Sequence, residues 1–284
     1  MTSDMAERAP WLTRRIPAGV EVGKVQGLIE GLQLHSVCQS ASCPNQGECF
    51  HEGTATFMIL GGVCTRRCRF CGVPKGAVEV VDPGEPAKVA DAVAALELKH
   101  AVVTSVTRDD LPDGGANQFV GCIRSIRQRS PETTVEVLTP DFAGNIAALQ
   151  VVLAEKPDVF NHNVETVPRL YSSVRPQANY QQSLTVLQQA AQAGIRRVKS
   201  GLMLGLGETE TEVLAVFQDL LAVGVNCLTI GQYLRPSREH LPVVDYIHPD
   251  QFKKLADDAY RLGFLHVASG PLVRSSYHAG EVFD

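Results

Sequence analysis

The stretch Thr54-Ala-Thr-Phe-Met-Ile-Leu-Gly-Gly-Val-Cys64-Thr-Arg-Arg-Cys68-Arg-Phe-Cys71 decides the reading of this chain. Thr54–Leu60 is apolar, aromatic and β-branched, as a buried strand requires. Gly61-Gly62 ends the run, and three cysteines follow as C-x3-C-x2-C. Three thiolates can fill three irons of a [4Fe–4S] cube and leave the fourth open to a ligand that is not protein. A structural zinc site usually supplies four ligands through paired C-x2-4-C spacings, and no second pair follows. The bacterial ferredoxin run C-x2-C-x2-C-x3-C is also absent. Phe70, just before the last cysteine, can cover such a cluster.

A second triplet, Cys38-x4-Cys43-x5-Cys49, stands upstream, so six of the eight cysteines fall in one 34-residue window. Cys122 and Cys227 sit among apolar neighbours and read as small buried hydrophobes. A chain of 284 residues with 44% apolar content has no need of disulfide staples. Residues 1–19 show no secretory pattern and no apolar run approaches a membrane span, so a cytoplasmic protein with reduced thiols is expected. A net charge of −5 gives no electrostatic case for nucleic-acid or membrane-surface binding. Arg66, Arg67 and Arg69 are a local basic exception, open to two readings: solvated side chains or contacts to an anionic ligand.

Downstream, β-branched runs alternate with amphipathic stretches. Strands are expected at Thr54–Leu60, Ala101–Val106, Thr133–Leu138, Asp158–Val164, Val198–Leu204 and Cys227–Gln232. Helices are expected at Pro86–Leu98, Asn117–Gln128, Ala143–Glu155, Tyr180–Ala193 and Glu208–Leu221, with Gly194, Gly201 and Gly224 as stops. A strand-to-strand spacing of roughly 25–45 residues is the period of βα units, hence a parallel sheet. Six units suit an α/β partial (β/α)6 barrel of the TIM type, with helices outside. Three segments follow: residues 1–53 as an N-terminal cluster-binding extension, 54–240 as the barrel, and 241–284 as a helix (Pro249–Leu262) with a capping tail. In such barrels the functional loops leave the C-terminal ends of the strands, where Cys64, Cys68 and Cys71 sit.

The spacing Cys64-x3-Cys68-x2-Cys71, with Phe70 inside it, resembles the radical S-adenosylmethionine (SAM) enzymes. The upstream triplet narrows the resemblance to the lipoyl synthase family. So do Arg108-Asp-Asp-Leu-Pro-Asp-Gly-Gly, Asn161-His-Asn-Val-Glu-Thr, Thr229-Ile-Gly-Gln-Tyr-Leu-Arg-Pro-Ser and Arg274-Ser-Ser-Tyr-His-Ala. The match runs over about residues 20–280.

That resemblance implies a SAM-binding [4Fe–4S] cluster on Cys64, Cys68 and Cys71. It implies a second, sulfur-donating [4Fe–4S] cluster on Cys38, Cys43, Cys49 and Ser276, with Ser275 the neighbouring alternative. A serine oxygen is a hard donor on a soft cluster, so that corner should be labile. Each SAM is cleaved by one electron to methionine and a 5′-deoxyadenosyl radical. Two sulfur atoms are inserted, at C6 and C8 of an octanoyl chain on a lysine of a lipoyl carrier domain. The expected partners are that octanoylated domain and a low-potential electron donor such as ferredoxin or flavodoxin, with no nucleic acid and no membrane, and the chain as a monomer.

Further contacts to SAM or substrate are expected from Thr104 and Ser105 after the second strand. Asn163 and Glu165 follow the fourth strand on one face. Lys199 in the fifth strand and Arg235 after the sixth are cations at the barrel mouth, where the alternative is a satisfied ion pair. His162 is expected to be a core histidine. Gly205-Leu-Gly207-Glu208 suggests a close backbone approach to SAM rather than a dinucleotide fingerprint. Thr107 and Gln177 depart from the family, which usually has Asp and Gly there. Two rivals are a methylthiotransferase-like radical SAM enzyme acting on RNA and a non-catalytic iron–sulfur or zinc protein.

Overall fold

The six β-branched runs read from sequence assemble as expected into parallel strands, each of the six followed by a helix that packs on the outside. The structure is a computed structural model and describes residues 9–12, 20–37, 45, 48–49, 54–277 and 279–283. Cys38 and Cys43 lie outside the described residues.

Helix α1 (Val20–Gly31) leads to a two-residue strand β1 (His35–Ser36), which pairs antiparallel with β2 (Thr54–Ile59). The chain then alternates α2 (Glu85–Ala95), β3 (His100–Ser105), α3 (Ala116–Arg129), β4 (Thr134–Leu138), α4 (Ile146–Ala154) and β5 (Val159–Asn161). A short helix α5 (Tyr171–Val174) precedes α6 (Tyr180–Gln192), β6 (Arg197–Leu204), α7 (Glu210–Ala222), β7 (Cys227–Gln232), α8 (Pro249–Leu262) and β8 (His266–Gly270). Strands β2 to β8 are parallel and hydrogen-bonded in chain order, and β8 has no pairing back to β2 among the described residues. The result is the expected α/β partial barrel, with two strands beyond the six read from sequence: the short antiparallel β1 and the parallel β8. Strand β8 escaped notice because His266-Val-Ala-Ser-Gly270 has little apolar character.

Outward residues such as Val103, Val137, Phe160 and Leu228 are buried under the helices in one continuous core. Inward residues line a lumen that carries charge. Lys199 Nζ lies 3.1 Å from Glu136 Oε1, His100 Nε2 lies 3.3 Å from Glu136 Oε2, and Asn161 Nδ2 donates to Glu136 at 2.9 Å. Burial alone would push the Glu136 carboxyl up; Lys199 and His100 overcome that and hold it below its ordinary value. Gly201, read as a helix stop, instead lies within β6 facing this lumen. A Cβ there would sit 2.3 Å from Thr229 Oγ1, so glycine serves close packing rather than a turn.

Candidate functional site

Strand β2 ends in two consecutive left-handed residues, Leu60 (φ 71°) and Gly61 (φ 92°). A leucine is strained there, and its neighbours hold it. Buried Glu85 accepts from Leu60 N at 3.0 Å, and Arg108 Nη1 donates to Leu60 O at 3.2 Å. The turn launches the cysteine loop over the C-terminal mouth of the barrel. Thr107 N–H donates to Cys64 Sγ at 3.3 Å, so position 107 contributes through its backbone whatever its side chain. Cys71 O accepts from Lys75 Nζ at 2.7 Å and lies 3.0 Å from His240 Nε2. Gln177 accepts from Arg67 N at 2.7 Å through its side-chain oxygen and so fastens the loop.

The basic residues of the loop have different fates. Arg66 is buried and reaches two aspartates from the next two βα loops. Its Nε and Nη2 donate to Asp109 at 2.7 and 2.9 Å, and its Nη1 and Nη2 donate to Asp141 at 2.9 and 2.6 Å. Burial pushes the Asp141 carboxyl up, but the Arg66 bonds dominate and hold it at about 2. Arg67 and Arg69 remain exposed.

Beneath the loop lies a cavity of about 360 Å³ lined by all three cysteines. Among the described residues no three His, Cys, Asp or Glu side chains converge on a single-ion site; the thiols share a cavity wide enough for a larger group. Burial pushes the Cys68 thiol up, opposed by Arg175, and pushes Cys71 up to about 11. Binding iron must therefore release protons from these thiols.

Thr104, Ser105, Asn163 and Glu165 line the same cavity. Four of its buried polar atoms have no protein partner: Ser105 Oγ, Thr139 Oγ1, Asn163 Oδ1 and Arg175 Nε. Such atoms are costly unless something satisfies them. Arg175 is only 8% exposed; its Nη1 donates to Asn163 O at 3.0 Å and its guanidinium lies 5.3 Å from the Tyr171 ring centroid. Glu165 is held at φ 68° by bonds to Gly201 O and from Met203 N, and burial raises its carboxyl against the pull of Arg175 and Asn163. An acid and a base on one wall fit a ligand that carries both an ammonium and a carboxylate, as SAM does.

Other expected residues fall elsewhere. Lys199 does not line the cavity; it is spent on Glu136 in the lumen below, 63 positions away in sequence. Arg235 also stands off it, with Nε donating to His240 O at 2.9 Å and Nη2 to Arg238 O. The Gly205–Glu208 turn is closed on itself, because Glu208 takes the Gly205 and Leu206 amides at 2.5 and 2.9 Å. His162 is the satisfied core histidine expected, between Thr139 O and Ser183 Oγ. Ser275 lines the cavity, whereas Ser276 is partly buried beside it. Cys49 is buried, and its segment is tied to the tail. Asn45 Nδ2 donates to Leu272 O at 2.6 Å, and Tyr277 Oη lies 3.3 Å from Glu48 Oε1. Sequence reasoning passed over Arg175, although it stands two residues before Gln177, and over Arg66 as a brace.

Residues 58–220 match the radical SAM superfamily. The chain is 53% identical over 282 residues to the lipoyl synthase of Pseudomonas fluorescens (strain SBW25), covering 99% of this chain and 83% of that one. It is 57% identical over 270 residues to the lipoyl synthase of Oleidesulfovibrio alaskensis, covering 95% and 92%. The chain belongs to the lipoyl synthase family. It is therefore an enzyme of sulfur insertion. Among solved structures, Streptococcus suis SuiB bound to S-adenosylmethionine superposes with a TM-score of 0.61 at 7% identity. That match covers 79% of this chain and about half (53%) of SuiB. Methylornithine synthase (PylB) superposes with a TM-score of 0.55 at 13% identity, covering 88% and 82%. At these identities the likeness concerns the fold alone. Among the described residues no helix is long and apolar enough to cross a membrane.

Proposed function

We propose that Cys64, Cys68 and Cys71 hold the [4Fe–4S] cluster that binds SAM, and that Cys38, Cys43, Cys49 and Ser276 hold a second [4Fe–4S] cluster that gives up sulfur. The substrate is an octanoyl chain on a lysine of a lipoyl carrier domain, sulfurated at C6 and C8. Bound together, cluster and SAM supply one-electron chemistry able to break an unactivated C–H bond, which has no acidic proton and no leaving group.

The chain's own residues do the rest. Arg66, braced by Asp109 and Asp141, fixes the cysteine loop over the mouth. Arg175, Asn163 and Glu165 orient the amino-acid end of SAM, with Thr104 and Ser105 on the facing wall. Leu138, Leu202 and Val273 give the cavity an apolar side that excludes water and takes up the acyl chain. Segments 1–53, 54–240 and 241–284 divide the work as auxiliary-cluster extension, radical SAM barrel and helix with capping tail. A ferredoxin or flavodoxin supplies electrons, and the enzyme works as a cytoplasmic monomer.

The observation that carries this reading is that three thiols share one cavity with four unpartnered buried polar atoms. The test is mass spectrometry of an octanoyl-lysyl peptide incubated anaerobically with reconstituted protein, SAM and dithionite. Two added sulfurs with 5′-deoxyadenosine released support it. Deoxyadenosine without peptide sulfuration, from protein holding both clusters, overturns the substrate assignment.

A further inference from the structure

The last residues of the described chain occupy both ends of the barrel. Val273, Arg274 and Ser275 line the cavity at the C-terminal mouth. A Cβ on Gly231 would sit 2.2 Å from Val273 O, so this strap lies directly on the end of β7. The 3-10 turn Ala279–Phe283 lies at the opposite end. Val282 is 3% exposed and packs with Val159 and Cys227, the first residues of β5 and β7. Arg197, first in β6, donates from Nε to Val282 O at 2.9 Å, and the Phe283 ring meets that of His100, first in β3, edge-on at 5.8 Å.

The span is taut. Six residues of β3 place the two levels about 17 Å apart. Only seven residue steps separate Ser275 from Val282, the last three of them in the 3-10 turn, so the connection reaches at most about 20 Å. A plug fixed at Val282 therefore sets where Ser275 and Ser276 lie.

We propose that Val282 and Phe283 are positioning residues: a plug in the N-terminal end of the lumen that holds the Arg274–Tyr277 strap in register against the N-terminal cysteine segment. Its catalytic consequence rests on the proposed role of that strap as serine donor to the sulfur-giving cluster. The plug touches neither SAM nor substrate, so its loss should separate the two half-functions.

The experiment is hydrogen exchange by mass spectrometry on the full chain without clusters, comparing wild type with Val282→Asp. Losing one buried valine should speed exchange across residues 272–277 by roughly tenfold or more while β3 to β6 stay protected. The same variant, reconstituted, should release 5′-deoxyadenosine at the wild-type rate and lose sulfur insertion. If far-UV circular dichroism shows Val282→Asp unfolded, Val282→Ala must give the same ordering. Unchanged strap exchange overturns the plug. A loosened strap with full sulfur insertion overturns its catalytic consequence. Wild-type protein that holds both clusters and inserts no sulfur overturns the functional reading instead, and leaves the exchange result standing.

Discussion

Arg66 and Asp141 lie 75 positions apart and meet through two parallel bonds, Nη1 to Oδ2 at 2.9 Å and Nη2 to Oδ1 at 2.6 Å. Both side chains are almost fully buried. Removing the carboxylate strands half of a buried guanidinium, while Asp109 retains the rest. Asp141→Ala should therefore cost about 3 kcal/mol in a chemical denaturation curve. Because the brace orients the cysteine loop, the reconstituted variant should also lose iron to a chelator faster than wild type. Arg66→Lys keeps the charge without the fork and should be only partly tolerated.

The two cysteine triplets should fail differently. Cys68→Ala is expected to abolish SAM cleavage, read as 5′-deoxyadenosine by liquid chromatography. Cys43→Ala should spare some cleavage and stop sulfur insertion, read as product mass. Variants that lose only cleavage, both still transferring sulfur, would sink the assignment.

Stability should fall as the medium is acidified from neutrality, and His162 should be one cause. Burial, reinforced by Arg175, depresses its imidazole to about 4. Between about 6.5 and 4 the unfolded chain takes up a proton there that the folded chain refuses. The neutral ring's contribution is thus complete above about pH 6.5 and lost as pH falls toward 4, up to roughly 3 kcal/mol. His162→Gln should flatten the wild-type slope of stability against pH across that window. Parallel slopes would rule this out.

Gly231→Ala puts a methyl against the Val273 carbonyl, a backbone atom that cannot rotate away. The strap must lift, at a cost of about 1–3 kcal/mol. The melting temperature should drop, and sulfur insertion should suffer more than SAM cleavage.

Much of this was legible in the chain. The β-branched runs and the cysteine spacing located the strands and the loop that matters. What was not legible depends on partners far away in sequence. Lys199 reads equally as a ligand-binding cation and as half of an ion pair until Glu136 is seen beneath it. Arg66 reads as one of three similar arginines until Asp109 and Asp141 arrive from other βα units. Gly201 resembles a helix stop because a glycine needed for close approach and one needed for a turn look alike locally. Strand β8 has too few apolar residues to register, and its neighbour β7 defines it. The position of Cys38 and Cys43 falls outside the described residues, so their pairing with the tail remains the family's implication.

The bonds from Asn45 to Leu272 and from Glu48 to Tyr277 join positions 227 and 229 apart. A ribosome makes the cysteine loop, Arg66's two carboxylates and Arg175 within the first 175 residues, so the cavity's first walls can form while translation continues. The clasp between the N-terminal segment and the strap waits for some hundred residues more. Chain order thus gives the two sites a birth sequence: the mouth of the barrel is framed early, and the clasp closes only after the last strand is made.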